Sequence, residues 1–337
     1  MTNISVIGLG SWGTALALHL DRNNNKVTLY GRIEDQFKLI NNTREHPFLP
    51  GIAIPESINL TLDLKTAVKN EILVLAVPSP FVREITEKIV AIAPAKKYII
   101  NVAKGMEMTT SKRLSEVIND VSKGNYEYCI LSGPTHAEEV ARNMPAAIVA
   151  ASSNMKFAKD VQIYFNSETL RTYTSSDVVG VELGGTLKNI IAIAAGFIDG
   201  MGFGDNAKAA IITRGLYEMM ALGKAMGAQM STFTGLTGMG DLVVTCTSKH
   251  SRNRAYGEAL GKGKTPQEIS DSMDMVAEGV YATKAIYMLS EKLDITMPIT
   301  NEVYHVIYEN KSPLKSFKDL MNREMKMEIE GIDIEKN

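Results

Sequence analysis

Residues 4–20 read ISVIGLGSWGTALALHL, and the architecture of the whole chain follows from them. A run of small and β-branched residues ends on a glycine, and a helical pattern starts at Gly13. Between the two stand Gly8, Gly10 and Gly13 in GxGxxG spacing. Gly8 permits the tight turn, Gly10 lets backbone approach a pyrophosphate, and Gly13 lets helix and strand pack closely. The N-terminus of the following helix then offers N–H groups to the anion. Ser11 and Trp12, the variable pair of the motif, are placed to touch a dinucleotide. A bare GxGxxG is a weak signal; at the first strand–turn–helix of a chain it is a strong one.

Outward from this unit the pattern repeats. KVTLY (26–30), EILVLAV (71–77), YIINV (98–102) and YCILSG (128–133) read as further buried parallel strands. Helical stretches lie between several of them, at 13–20, 80–93 and 111–121. This alternation predicts a doubly wound α/β sheet of Rossmann type. AAIVAAS (146–152) and LRTYT (170–174) are two more strand-like runs. From Asp177, a helix N-cap, strands disappear. DVVGVELGGTLKNIIAIAAGFIDGMG is one long helical pattern ended by glycine, and helical patterns follow at 206–226, 252–260, 265–272, 279–289, 299–309 and 313–322. The expected organisation is a dinucleotide-binding Rossmann domain, residues 1–176, followed by an all-helical substrate-binding domain, residues 177–337. The first long helix forms the junction.

Several positions carry candidate chemistry. The second strand ends LYGR, so Arg32 stands where an acidic residue would grip the ribose 2′-OH of NAD. An arginine there pairs with a 2′-phosphate, and NADP is at least tolerated. Lys104 follows one strand, and Gly133, Pro134 and Thr135 follow the next, at the carboxyl ends where α/β sheets bind ligands. Lys188 lies on a helix face with Val181, Gly184, Ala192 and Ala195, which is no pattern for a solvated surface. The adjacent Gly184–Gly185 implies close approach of a backbone or a ligand. An ammonium held there is partly desolvated and suited to acid–base work. Finally, Asp241 sits in a glycine loop, and Lys249, His250, Arg252 and Arg254 crowd six residues after it.

Composition narrows the class. A chain of 337 residues, 45% apolar and 22% charged, is that of a globular protein with a substantial core. A net charge of −2 argues against nucleic-acid or membrane-surface binding. Cys129 and Cys246 are too few and too far apart for a disulfide framework or zinc site, and no histidine has a second ligand at metal spacing. No metal is expected. No signal-peptide pattern opens the chain, and the apolar stretch 190–198 reads as too short to span a bilayer. A cytoplasmic location is expected.

Taken together, GLGSWGTALA, NVAKG, SGPTHAEEV, VELGGTLKNIIAIAAGFIDG, GMGDLVVTCTSKHSRNRAYG and VAEGV resemble the bacterial-type NAD(P)-dependent glycerol-3-phosphate dehydrogenases. The resemblance implies reversible reduction of dihydroxyacetone phosphate to sn-glycerol 3-phosphate, feeding phospholipid synthesis. It implies Lys188 as proton donor and acceptor. It assigns Lys104, Gly133, Thr135, Asp241, Ser251, Arg252 and Asn253 to the substrate. Ser11, Trp12, Arg32, Lys104, Ala137, Arg252, Val276 and Glu278 are assigned to the cofactor. Asp241 would orient the Lys188 ammonium, and Ser251–Asn253 would trap the phosphate. Where some relatives carry a second basic residue after the first, this chain has Ile33, so the cofactor is NAD or NADP. Two rival readings share the architecture: a β-hydroxyacid or 6-phosphogluconate type dehydrogenase, and a dinucleotide-sensing module without turnover. The apolar helical half is compatible with a homodimer.

Overall fold

The computed structural model describes residues 1–272, 277–325, 327 and 328. Two compact units emerge: Met1–Lys104 with Arg113–Val178, and Gly105–Lys112 with Val179–Asn337.

The first unit holds an eight-stranded sheet: β1 (Asn3–Ile7), β2 (Lys26–Tyr30), β3 (Asn59–Thr61), β4 (Ile72–Leu75), β5 (Tyr98–Asn101), β6 (Glu127–Ser132), β7 (Ala146–Ala151) and β8 (Leu170–Ser175). Their order is β3-β2-β1-β4-β5-β6-β7-β8. Side chains alternate across each strand, so β1 sends Ile4 and Val6 into one apolar cluster and Ile7 into another. Likewise β4 divides Ile72 and Val74 from Leu73 and Leu75. Burial on both faces is why these strands read as unbroken apolar runs. From β1 the chain builds outward to β2 and β3, then returns to the other side with β4. The reversal puts a topological switch point between β1 and β4, where such sheets bind ligands.

The expected doubly wound α/β architecture is present, and the five runs read as parallel strands pair in parallel. β6 and β7 pair antiparallel, with Ile130 opposite Ala151 and Ser132 opposite Val149. Only residues 133–145 join them, and their five-residue helix Ala137–Ala141 is too short to carry the chain back along the sheet. The longer helix Met155–Phe165 then gives β7 and β8 a parallel crossover.

In the second unit the regular elements of the described residues 178–321 are all helical. The helix Val178–Met201 is buried at every position from Gly180 to Ile198. It is long and apolar enough to cross a bilayer, contrary to the reading of 190–198 as too short, yet 89% of its most apolar window lies inside the protein. A helix buried on every side is the central core element of this unit. Around it come Gly204–Ala225, Met230–Thr234, Asp241–Thr247, Arg252–Gly261, Pro266–Ser272, Glu278–Lys292, Pro298–Tyr308 and Pro313–Met321. Two helices meet backbone to backbone: a Cβ on Gly196 would stand 2.1 Å from the Arg254 carbonyl oxygen, and one on Gly257 would stand 2.0 Å from that of Ile193. This close crossing fixes where the Arg252–Gly261 helix begins.

Candidate active site

In the first unit the turn after β1 is made by the glycines themselves. Gly8 has φ +133°, and a Cβ on it would lie 2.4 Å from the Ala76 carbonyl oxygen beyond β4. A Cβ on Gly13 would lie 2.0 Å from the Gly8 oxygen. Gly10 differs: beyond its two chain neighbours, no protein atom comes within 4 Å of its would-be Cβ. Gly10 is also the N-cap of the helix Ser11–Arg22, where no side chain caps the first N–H groups and no acidic residue occupies the first turn. The orphan donors and the open approach at Gly10 fit a pyrophosphate. Trp12 packs on the core beside this turn.

Arg32, directly after β2, places its guanidinium 4.4 Å from the Phe81 ring centroid and 3.9 Å from a Glu84 carboxylate oxygen. The side chain is half exposed. Lys104, after β5, donates from Nζ to the Gly133 carbonyl at 3.1 Å, and the Thr135 hydroxyl donates to the same oxygen at 3.2 Å. The two loops read separately from the sequence therefore meet. Ala137 opens the short helix that follows.

In the second unit, Lys188 is 6% exposed and Asp241 1%. The Lys188 ammonium is hydrogen-bonded to Asp241 Oδ1 and donates to Thr245 Oγ1 at 2.9 Å. Asp241 is not in a loop, as the glycines around it suggest. A five-residue π-helical turn, Leu236–Gly240, delivers it into the first turn of the helix Asp241–Thr247. Thr245, four residues on, then shares its face and donates its own hydroxyl proton to the Asp241 carbonyl at 2.5 Å. Gly184 explains the approach: a Cβ there would stand 2.4 Å from the Thr237 carbonyl oxygen, so the lysine helix and the turn before Asp241 touch through backbone.

The basic cluster divides. Arg254 turns away, bonding Asp199 at 2.7 Å, Glu258 at 3.0 Å and the Ser248 carbonyl at 3.0 Å. Ser251 is the N-cap of the helix Arg252–Gly261, its hydroxyl accepting the Arg254 N–H at 3.2 Å. Arg252 and the preceding Lys249 and His250 are exposed at that helix start, which has no acidic residue in its first turn. The Asn253 side chain is anchored: it donates one amide N–H to Asn189 Oδ1 at 2.9 Å and accepts the Gly279 N–H at 2.9 Å. Glu278 begins the helix Glu278–Lys292, whereas Val276 lies outside the described residues. Cys246 is buried nearby in sequence, and burial pushes its thiol up to about 12, so it carries no nucleophile.

The sequence model for the N-terminus of the NAD-dependent glycerol-3-phosphate dehydrogenases matches residues 3–158, and that for their C-terminus matches residues 177–318. The chain belongs to this dehydrogenase family. It is similar to the glycerol-3-phosphate dehydrogenase [NAD(P)+] of Thermoanaerobacter sp., 51% identical over 98% of this chain and 99% of that one. It is likewise similar to that of Prosthecochloris aestuarii, 48% identical over 97% and 99%. Among solved structures, the glycerol-3-phosphate dehydrogenase of Coxiella burnetii superposes with a TM-score of 0.92 at 38% identity, over 96% of this chain and 99% of that chain. Against this family background, three side chains escaped sequence reading. Thr245 had a signal, its i,i+4 spacing from Asp241. Asn189 had adjacency to Lys188 alone. His46, whose ring reaches the Leu9 carbonyl at 3.2 Å, had none.

Proposed function

We propose that Lys188 is the proton donor and acceptor of the reaction, that Asp241 orients it, and that Ser251, Arg252 and Asn253 hold the substrate phosphate. As a family member the chain is an NAD(P)-dependent oxidoreductase interconverting dihydroxyacetone phosphate and glycerol 3-phosphate. Its product supplies phospholipid synthesis. The bound nicotinamide supplies hydride to substrate C2 in the reducing direction and accepts it in the other. Gly8, Gly10, Ser11, Trp12, Gly13, Arg32 and Ala137 would hold the dinucleotide, with Val276 and Glu278 as further contacts. Lys104, Gly133 and Thr135 serve the substrate, and Lys104 and Arg252 also serve the cofactor.

The observation that carries this reading is the buried ammonium of Lys188 on Asp241 and Thr245. A buried ion pair adds little stability over apolar residues of the same volume, so its presence in a glycine- and alanine-lined core calls for another use. Proton transfer provides one. In reduction the ammonium gives a proton to the carbonyl oxygen of C2 as negative charge develops there; in oxidation the neutral amine takes the hydroxyl proton. Asp241 and Thr245 remove the side chain's freedom, so the proton stands at one defined point. The Arg252 guanidinium and the N-terminus of its helix supply charge and N–H donors suited to a phosphate dianion.

The enzyme reading is favoured over a sensing module because a sensor has no use for a buried proton carrier. Oxidation of NADH and of NADPH, followed by nicotinamide absorbance with dihydroxyacetone phosphate, tests it. Failure with both cofactors removes the reading. A homodimer in the cytoplasm completes the proposal, supported by a half-buried face of stacked Tyr287 and Tyr304 beside exposed Met288. Sedimentation equilibrium giving a monomer at micromolar concentration would overturn the dimer.

A further inference from the structure

The segment 44–54 folds back on itself. The Ile54 N–H donates to the Arg44 carbonyl at 2.7 Å, the Leu49 N–H to that of His46 at 2.8 Å, and Glu45 bridges Ala53. Leu49 and Ile54 seat it in the same apolar cluster as Leu9 and Leu16. His46, at the head of this fold, is 1% exposed. Its Nδ1 accepts the Phe48 N–H at 3.1 Å, so Nδ1 bears no proton and the ring hydrogen is on Nε2. That Nε2–H donates to the Leu9 carbonyl at 3.2 Å. Burial pushes the ring below the ordinary imidazole range, against a weaker opposing pull from the Leu9 carbonyl. The neutral tautomer is the one both bonds require.

Leu9 stands between Gly8 and Gly10. Its carbonyl belongs to the peptide whose N–H is that of Gly10, and a planar trans peptide fixes the two in opposite directions. Holding the Leu9 oxygen therefore aims the Gly10 N–H. Gly10, on one side of this peptide, leaves it with less steric restraint than a residue with a side chain would.

We propose that His46 is a positioning residue for the cofactor: from 37 residues away it orients the Leu9–Gly10 peptide toward the pyrophosphate of NAD(P). The inference rests on the reading of residues 8–13 as the dinucleotide loop. It assigns His46 to cofactor affinity, not to the substrate or the proton.

Two substitutions separate the ring's two bonds. His46→Asn keeps an acceptor for the Phe48 N–H, the i to i+2 bond that Asn makes in turns, but is too short to reach Leu9. His46→Gln keeps a donor at the reach of Nε2. The expected result for His46→Asn is a rise of about fivefold or more in the KM and Kd for NADH, the size of one lost hydrogen bond. Its kcat and its KM for dihydroxyacetone phosphate stay within about twofold. His46→Gln returns NADH affinity to near native. The proposal is overturned if His46→Asn binds NADH normally, if Gln and Asn are equally impaired, or if the substrate KM rises in step. Should His46→Asn not fold, near-native NADH binding by His46→Gln is still required, and its absence overturns the proposal. Gly10→Val distinguishes the underlying reading, since no protein atom opposes a side chain there. If Gly10→Val binds NADH normally, the loop reading falls with His46. If Gly10→Val loses NADH while His46→Asn does not, only the His46 role falls.

Discussion

In the loop of residues 8–13 the groups proposed to work are backbone N–H donors of consecutive residues, whereas the Lys188–Asp241 pair consists of two side chains 53 positions apart. The loop depends on what Gly8 and Gly13 lack, because neither has room for a Cβ. The pair depends on what its residues carry, an ammonium and a carboxylate. Substitution should therefore act sterically at the first and chemically at the second. A contiguous backbone site leaves a motif in the sequence. A site of distant side chains leaves only one odd residue, a lysine on an apolar helix face.

The largest effect is expected at the pair. Lys188→Met keeps length and removes the proton, so turnover falls about 10²–10⁴-fold while NADH affinity and melting temperature persist. Near-native turnover in the folded variant would end the assignment. Next comes the proposed phosphate site. Arg252→Ala should raise the KM for dihydroxyacetone phosphate at least tenfold, the value of a charge-assisted contact of about 1.5–3 kcal/mol. Arg254→Ala should raise it much less. That variant should instead melt earlier, because Arg254 holds Asp199, Glu258 and Ser248. Equal KM effects from the two arginines would remove the division of labour.

A third experiment sets the glycines against each other. Gly13→Ala should cost about 1–3 kcal/mol of stability, an overpacking penalty, since its Cβ meets the Gly8 oxygen. Gly10→Ala should melt as the native protein does. Denaturant midpoints that fall equally would show that the distinction between packing and approach is false.

A further effect, seen only on varying pH, concerns a second buried carboxylate. Among the described residues Glu218 has no lysine partner of the Asp241 kind; it accepts the Ile299 N–H at 2.5 Å, the Thr300 N–H at 3.1 Å and the Thr300 hydroxyl at 2.9 Å. Burial pushes its carboxyl up to about 7 from 4.5, with those donors opposing. The folded state thus holds this proton more tightly than the unfolded chain. The stability tied to Glu218 is full below pH 4.5 and is lost as pH rises through about 7. The melting temperature of native protein relative to Glu218→Gln should accordingly fall between those pH values. A difference that stays flat or climbs would show that the three donors keep the group ionised.

Strand alternation, the glycine spacing of residues 8–13 and the long helix through Lys188 were all legible in the amino-acid sequence, because each is a local pattern set by backbone periodicity. The packing of strands buried on both faces made their apolar runs conspicuous. The antiparallel turn from β6 to β7 was not legible: apolar runs do not carry direction, and only the short connection of residues 133–145 shows which way the chain returns. Asp241 read as part of a loop because glycines signal turns, yet the helical core accepts a π-helical turn there, where a Cβ on Gly238 would meet the Phe233 backbone. Arg252 and Arg254 look alike in sequence. Tertiary contacts to Asp199, Glu258 and Ser248 make one a brace and leave the other at an exposed helix start. His46 is the extreme case, since a bond from a side chain to a distant carbonyl leaves no trace in spacing or composition. Local periodicity is written in neighbouring residues; which distant groups share a proton or a carbonyl is set only when the chain closes on itself.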